Sequence, residues 1–226
     1  MERLRRGSRS VRARRMIMRA GEPPQEVFSL LEGWAYRFML LSDGRRQILA
    51  YYLPGNFITL EALHMPRLHF SVQALTDVQL CVFDVGQFKA FVAETAGLAQ
   101  EAERMCVQRT ILTDHLVMDL GRRTAQEKLA RMLMEIYVRL ARRGLVSNGS
   151  FTWPLRQEHI ADTLGLTPVH VSRTLGALKR EGLVDVNGQT VTIVDESRLL
   201  MHAGLPEDHV EKQVLRKSVL KAPVVV

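Results

Sequence analysis

A chain of 226 residues is long enough for two modest domains or one large one, and its 46% hydrophobic content can build packed cores. Lys and Arg (31) outnumber Asp and Glu (24), giving a formal charge of +7 that favours a polyanionic partner such as nucleic acid or an anionic membrane. No apolar run approaches the roughly 20 residues of a transmembrane helix, and the polar start lacks the apolar core of a secretory signal. Cys81 and Cys106 make neither a disulfide framework nor a metal-ligand spacing, so a cytoplasmic protein with reduced thiols and no membrane partner is expected.

Residues 1–15 form a basic lead-in, and the first 19 residues hold eight arginines and one acid. Such a segment is either a nucleic-acid-binding arm or a solvated, partly disordered lead-in, and the second reading is preferred. Over 16–94 the pattern becomes that of a β domain. The runs VFSLLE, WAYRFMLL, QILAYYL, FSVQAL and VQLCVF are broken at Gly21, Gly33, Asp43-Gly44 and Pro54-Gly55. That spacing predicts short antiparallel strands closed into a sandwich or roll, with Asp-Gly marking a hairpin.

From 95 to 120 the periodicity is helical, with Leu98, Ala102, Met105, Leu112 and Leu116 on one face. A long helix with a narrow apolar stripe after a small β domain predicts a dimerisation helix, packing within the chain being the alternative. Arg109 interrupts this stripe. Gly121 then breaks the helix, and Thr124-Ala-Gln-Glu127 has the form of a capping box opening a second one through Leu129, Leu133, Ile136 and Leu140 to Gly144. The interval 119–123 is thus the expected boundary and hinge, 121–196 the C-terminal domain, and 197–226 a tail without a motif.

The most informative stretch runs from Leu155 to Val194. Ile160, Ala161 and Leu164 make one helical face, and Gly165 suits a turn between two helices. Thr167-Pro168 then starts a second helix with a hydroxyl cap and a proline at its first position. Val171, Leu175 and Leu178 form its predicted buried stripe, leaving Val169, His170, Ser172, Arg173 and Lys179 outside. Leu183–Val186 and Thr190–Ile193 flank Asn187-Gly188 as a two-stranded wing. This ordered set predicts a winged helix-turn-helix whose second helix, 168–180, enters the major groove of double-stranded DNA.

On these residues, RQEHIADTLGLTPVHVSRTLGALKREGLV resembles the DNA-binding domain of the Crp/Fnr family of bacterial regulators. EVFSLLEGWAYRFMLLSDGRRQILAYYLPGNFI resembles that family's cyclic-nucleotide-binding-type β-roll, and ILTDHLVMDLGRRTAQEKLARML its dimer helix and hinge. The fold so implied is α+β: an N-terminal cyclic-nucleotide-binding-type β-roll, a long dimerisation helix and a C-terminal winged helix-turn-helix. The resemblance implies a homodimer on a palindromic promoter site that recruits RNA polymerase. By position, Arg173 matches the family's guanine-reading arginine, and bidentate Arg on guanine agrees chemically. Ser172 matches a base- or phosphate-contacting serine; Arg156, Gln157 and Thr167, followed by Pro168, match phosphate-holding positions. Val169 stands where many members carry a cytosine-reading glutamate, so the half-site is expected to differ at that base pair.

The sensor side departs further. Cyclic-nucleotide binders of this fold resemble one another in a Gly-Glu-(Leu/Ile)-Ala-Leu cassette followed by Arg-(Ser/Thr)-Ala. Here the stretch reads Thr59-Leu60-Glu61-Ala62-Leu63, then Pro66-Arg67-Leu68-His69. The glycine is missing, and Glu61 lies one residue late, which on a strand turns it to the other side. Tight cyclic-nucleotide binding is not expected. Two cysteines rule out an all-cysteine iron–sulfur cluster within one chain, and His64, His69 and His115 are the haem candidates, although a lone histidine is more often a surface residue. No cofactor and no metal is therefore expected. No phosphate loop, HExxH, Gly-x-Ser-x-Gly or catalytic-cysteine context points to an enzyme.

Overall fold

The computed structural model describes residues 5–204. These fall into two compact units that divide between residues 115 and 116. The first holds two four-stranded antiparallel sheets. One has the order β1 (Arg5–Val11), β8 (Val78–Asp84), β3 (Glu26–Glu32), β6 (Phe57–Ile58). The other has the order β2 (Met16–Met18), β7 (Ser71–Ala74), β4 (Ala35–Leu40), β5 (Arg46–Tyr52). Phe28, Leu30, Phe70, Val72, Leu80 and Val82 fill one core. Because side chains alternate along a strand, Val27, Cys81 and Phe83 form a second cluster with Leu60, Leu63 and Phe88. Phe88 belongs to α1 (Val85–Glu94), a helix that the sequence reading left inside the β domain.

The tight turns are where the punctuation predicts them. Gly33, at φ +81, is needed for two reasons: the conformation favours glycine, and an added Cβ would sit 2.1 Å from the Asp77 carbonyl oxygen. Asp43-Gly44 joins β4 to β5, whose register pairs Leu40 with Arg46.

The N-terminus differs from expectation. Residues 5–11 are not a disordered lead-in but strand β1, paired antiparallel with β8 from Arg5↔Phe83 to Val11↔Val78 with a register shift between Arg5 and Gly7. Its order comes from backbone hydrogen bonds and from ion pairs such as Arg9–Glu26 (2.8 Å), while its side chains stay largely exposed. An outward row of arginines also guards this sheet edge against further pairing.

Helix α2 (Ala96–Gly121) runs through the division between the units, which falls several residues before the expected 119–123. The second unit contains the end of α2, then α3 (Ala125–Ala141), β9 (Ser150–Thr152), α4 (Gln157–Leu164), α5 (Pro168–Arg180), β10 (Val184–Asn187), β11 (Thr190–Ile193) and α6 (Glu196–His202). The predicted capping box is present: Thr124 Oγ1 accepts from the Glu127 amide and the Glu127 carboxylate accepts from the Thr124 amide. Among the described residues no helix is long and apolar enough to cross a membrane. Residues 197–202, expected to belong to the tail, instead form most of α6, where Leu199 and Leu200 are buried; the remainder of the expected tail, after residue 204, lies outside the described residues.

Candidate nucleic-acid interface

Helices α4 and α5 are joined by a turn whose chemistry follows the sequence closely. Gly165 adopts φ +65 and ends α4, its amide donating to the Ala161 carbonyl. Thr167 caps α5 by accepting from the His170 amide at 3.2 Å, and Pro168 fills the first turn. The buried face of α5 is Val171, Thr174 and Leu178; Leu175 is only half-buried. Thr174 is accommodated inside because its hydroxyl donates to the His170 carbonyl at 2.8 Å.

The opposite face brings together Val169, His170, Ser172, Arg173, Lys179 and Arg180, all exposed. Val169 is 60% exposed and can offer its methyls outward. Arg173 has no hydrogen-bond or ion-pair partner among the described residues. Arg156 and Gln157, at the start of α4, are also exposed, as are Thr167 and Pro168. The N-terminus of α5 thus opens from the turn beside exposed cations of its own face, while Arg156 and Gln157 lie at the other end of α4; each is a setting suited to phosphate oxygens.

The wing is a three-stranded antiparallel sheet of order β10-β11-β9, one strand more than predicted. Asn187 pairs with Thr190, so the tight turn is Gly188–Gln189 rather than Asn187-Gly188. Lys179, assigned to DNA, also has a partner in the wing: its ammonium lies 2.7 Å from Asp185. Hydrogen bonding and charge from Lys179 hold the Asp185 carboxyl below the usual carboxylate range.

On α2 the predicted dimerisation stripe is partly covered by the chain itself. Leu98, Ala102, Met105 and Leu112 are half-buried and Leu116 is buried within a single chain; Met105 packs against the Val27–Phe83 cluster. Helix α2 is apolar on more than one face, which the spacing alone concealed. Its exposed side carries Cys106, Val107, Thr110, Thr113 and Val117, spaced largely by threes and fours.

Arg109 is explained by Glu61. The Arg37 guanidinium donates to Glu61 Oε1 at 2.7 Å, and the Arg109 guanidinium bonds the same oxygen. These residues line a pocket of about 320 Å3 with Met105, Thr110 and Asp114. Glu61 sits on a 3-10 turn, Leu60–Leu63, where successive side chains step by about 120°. The expectation that a one-residue offset turns it away, which assumed a strand, is thus corrected. Thr59, where the nucleotide cassette has glycine, takes the left-handed conformation at φ 68. Arg67, the counterpart of the phosphate-holding arginine, is exposed and donates to the Gly21 carbonyl at 2.6 Å. The arginines that do reach the pocket already hold Glu61. Of the haem candidates, His64 and His69 are exposed and His115 half-buried, and no group of three metal-ligating side chains occurs among the described residues.

Sequence reasoning also missed Asp119, Lys128 and Arg131, charged residues buried at the end of α2 and on α3. The available signal was two cations, three residues apart, beside the apolar positions Leu129 and Leu133.

Comparison with known proteins agrees with this layout. Residues 8–95 match the family model described as a cyclic nucleotide-binding domain, and residues 127–201 match the Crp-like helix-turn-helix domain. The chain is 34% identical over 204 residues to the transcriptional activator protein FnrL of Cereibacter sphaeroides, covering 88% of this chain and 82% of that one. It is 35% identical to the transcriptional activatory protein AadR of Rhodopseudomonas palustris, covering 78% and 73%. The solved structure of FixK2 from Bradyrhizobium japonicum superposes with a TM-score of 0.79 at 27% identity, covering 90% of this chain and 98% of that one.

Proposed function

Because the chain belongs to the Crp/Fnr family of DNA-binding transcription regulators, we propose that it binds two-fold symmetric promoter sites as a homodimer and acts there by recruiting RNA polymerase. The observation that carries this reading is the exposed face of α5, where Arg173 stands unpartnered on a capped helix beside a wing. Arg173 reads guanine through O6 and N7, and Val169 packs on a thymine methyl where a carboxylate would accept from cytosine. Ser172 and His170 contact neighbouring base edges or phosphates. Arg156, Gln157, Thr167 and Pro168 set the register on the backbone. The relatives FnrL and AadR are activators by name, and activation is the sense we adopt. The exposed side of α2 around Val107 and Val117 forms the dimer seam.

The roll works without a cyclic nucleotide, since Glu61 is committed to Arg37 and Arg109 and Arg67 is turned away. Calorimetry with cyclic AMP and cyclic GMP is expected to show no binding; micromolar or tighter affinity contradicts this. The function itself is tested by selecting sites from genomic fragments with wild type and Arg173→Ala at two salt concentrations. A two-fold motif with half-sites about one helical turn apart, fading in the variant, is the expected result. A variant that selects as well as wild type defeats the assignment.

A further inference from the structure

The joint between α2 and α3 is short. Only Arg122 and Arg123 separate Gly121, the last residue of α2, from the Thr124 cap. Nothing in so brief a glycine-bearing link fixes an angle by itself. Yet a set of buried charges lies beside it. Asp119, on the final turn of α2, is fully buried. Arg131 Nε on α3 donates to its two oxygens at 2.9 and 2.8 Å, and Arg131 Nη2 lies 2.6 Å from Oδ2. Arg123 adds a fourth contact, 2.7 Å to Oδ1.

One turn before Arg131, the buried Lys128 donates from Nζ to the Leu164 carbonyl at 3.3 Å, the last residue of α4 before the Gly165 turn. Leu120, the neighbour of Asp119, reaches the same turn: its Cδ2 lies 3.0 Å from where a Cβ on Gly165 would stand. At the far end of α5, Gln126 Nε2 donates to the Glu181 side chain at 3.2 Å. The last turn of α2, helix α3, the end of α4 and the C-terminal end of α5 are therefore tied by directional contacts rather than by apolar packing alone. Buried ion pairs add little net stability over an apolar pair of equal volume, but they tolerate only a narrow geometry.

We infer that Asp119, Arg131 and Lys128 are positioning residues that hold the recognition helix at one angle to the last turn of the dimerisation helix, and so set the half-site spacing the dimer accepts. This rests on the dimeric, α5-reading function proposed above. The leverage is large. A turn of about 8° on an arm about 25 Å long, the length of α3 at 1.5 Å per residue, moves its end by about one base-pair step of 3.4 Å.

The test uses the full chain and a library in which the spacer between two fixed half-sites varies one base pair at a time. Wild type is expected to prefer one spacer by about tenfold or more over its neighbours. Two variants are compared: Arg131→Lys, which keeps the charge but loses the two-pronged geometry, and the apolar pair Asp119→Leu with Arg131→Met. Both are expected to reduce that preference below about threefold while choosing the same bases within each half-site. If the apolar pair does not fold, Arg131→Lys decides alone. A folded, dimeric variant that keeps the wild-type spacing preference overturns the inference, leaving the regulator function intact. Failure of wild type itself to bind any paired site overturns that function, and this inference with it.

Discussion

Arg173 and Lys179 share one face of α5, yet their surroundings give them different work. Arg173 is unpartnered, so Arg173→Ala is expected to lower affinity for the selected site by roughly 10- to 100-fold, the 1–3 kcal/mol of one guanine contact. Unrelated duplexes should be affected far less, which anisotropy titrations at fixed salt can read. Lys179 is shared with Asp185 in the wing. Asp185→Ala releases it to a phosphate, and the slope of log affinity against log salt should steepen by about one; an unchanged slope keeps Lys179 off the DNA. Glu61 poses a different question, because burial raises its carboxyl while the charge and hydrogen bond of Arg109, with the charge of Arg37, outweigh that and hold it below its usual value of 4.5. A lowered folded value means the stabilisation is complete above about 4.5 and is lost as pH falls through the folded value. Glu61→Gln should therefore melt earlier at pH 7, by about 3 kcal/mol for two guanidinia left facing an uncharged group. That deficit should shrink below pH 4.5, and a deficit constant down to pH 3 would show that the loss is one of packing.

Among the elements, those defined by local chemistry could be read in advance. The Thr124 box and the Thr167-Pro168 start are satisfied by atoms within four residues of one another, and Thr124→Ala is expected to cost about 1 kcal/mol in a thermal melt. Gly165 is constrained twice, by φ +65 and by Leu120, so Gly165→Ala should cost about 1–3 kcal/mol and weaken operator binding with it. A variant as stable as wild type would mean the turn can relax around a methyl group. Strand β1 escaped notice because its order is supplied by β8: a seven-residue strand rich in arginine has no apolar alternation to detect. The 3-10 turn at Leu60–Leu63 escaped for a related reason, since four residues are too few to establish a period.

For the whole molecule the open choice lies between the two faces of α2, and a dimer has to use one of them. Met105 is committed to its own unit, whereas Val107 and Val117 are 55% and 63% exposed. Val117→Glu is thus expected to shift sedimentation toward monomer and to weaken operator binding about 100-fold or more, because each half-site alone binds poorly; a variant that stays dimeric would return the seam to the Leu98–Leu116 stripe. The sequence by itself determined the β-roll, the long helix, the winged helix-turn-helix and the outward face of α5, because periodicity, caps and turn residues act over a few positions. It also carried the departure from the family's nucleotide cassette, visible in residues 59–69. Only the tertiary structure decided that Arg5–Val11 joins the sheet, that Glu61 meets Arg37 and Arg109, that Asp119 meets Arg123 and Arg131, that Lys128 meets the Leu164 carbonyl, and which side of α2 is more exposed. Those outcomes depend on charges and strands brought together from distant parts of the chain, and a pairing of that kind leaves no period in the sequence to read.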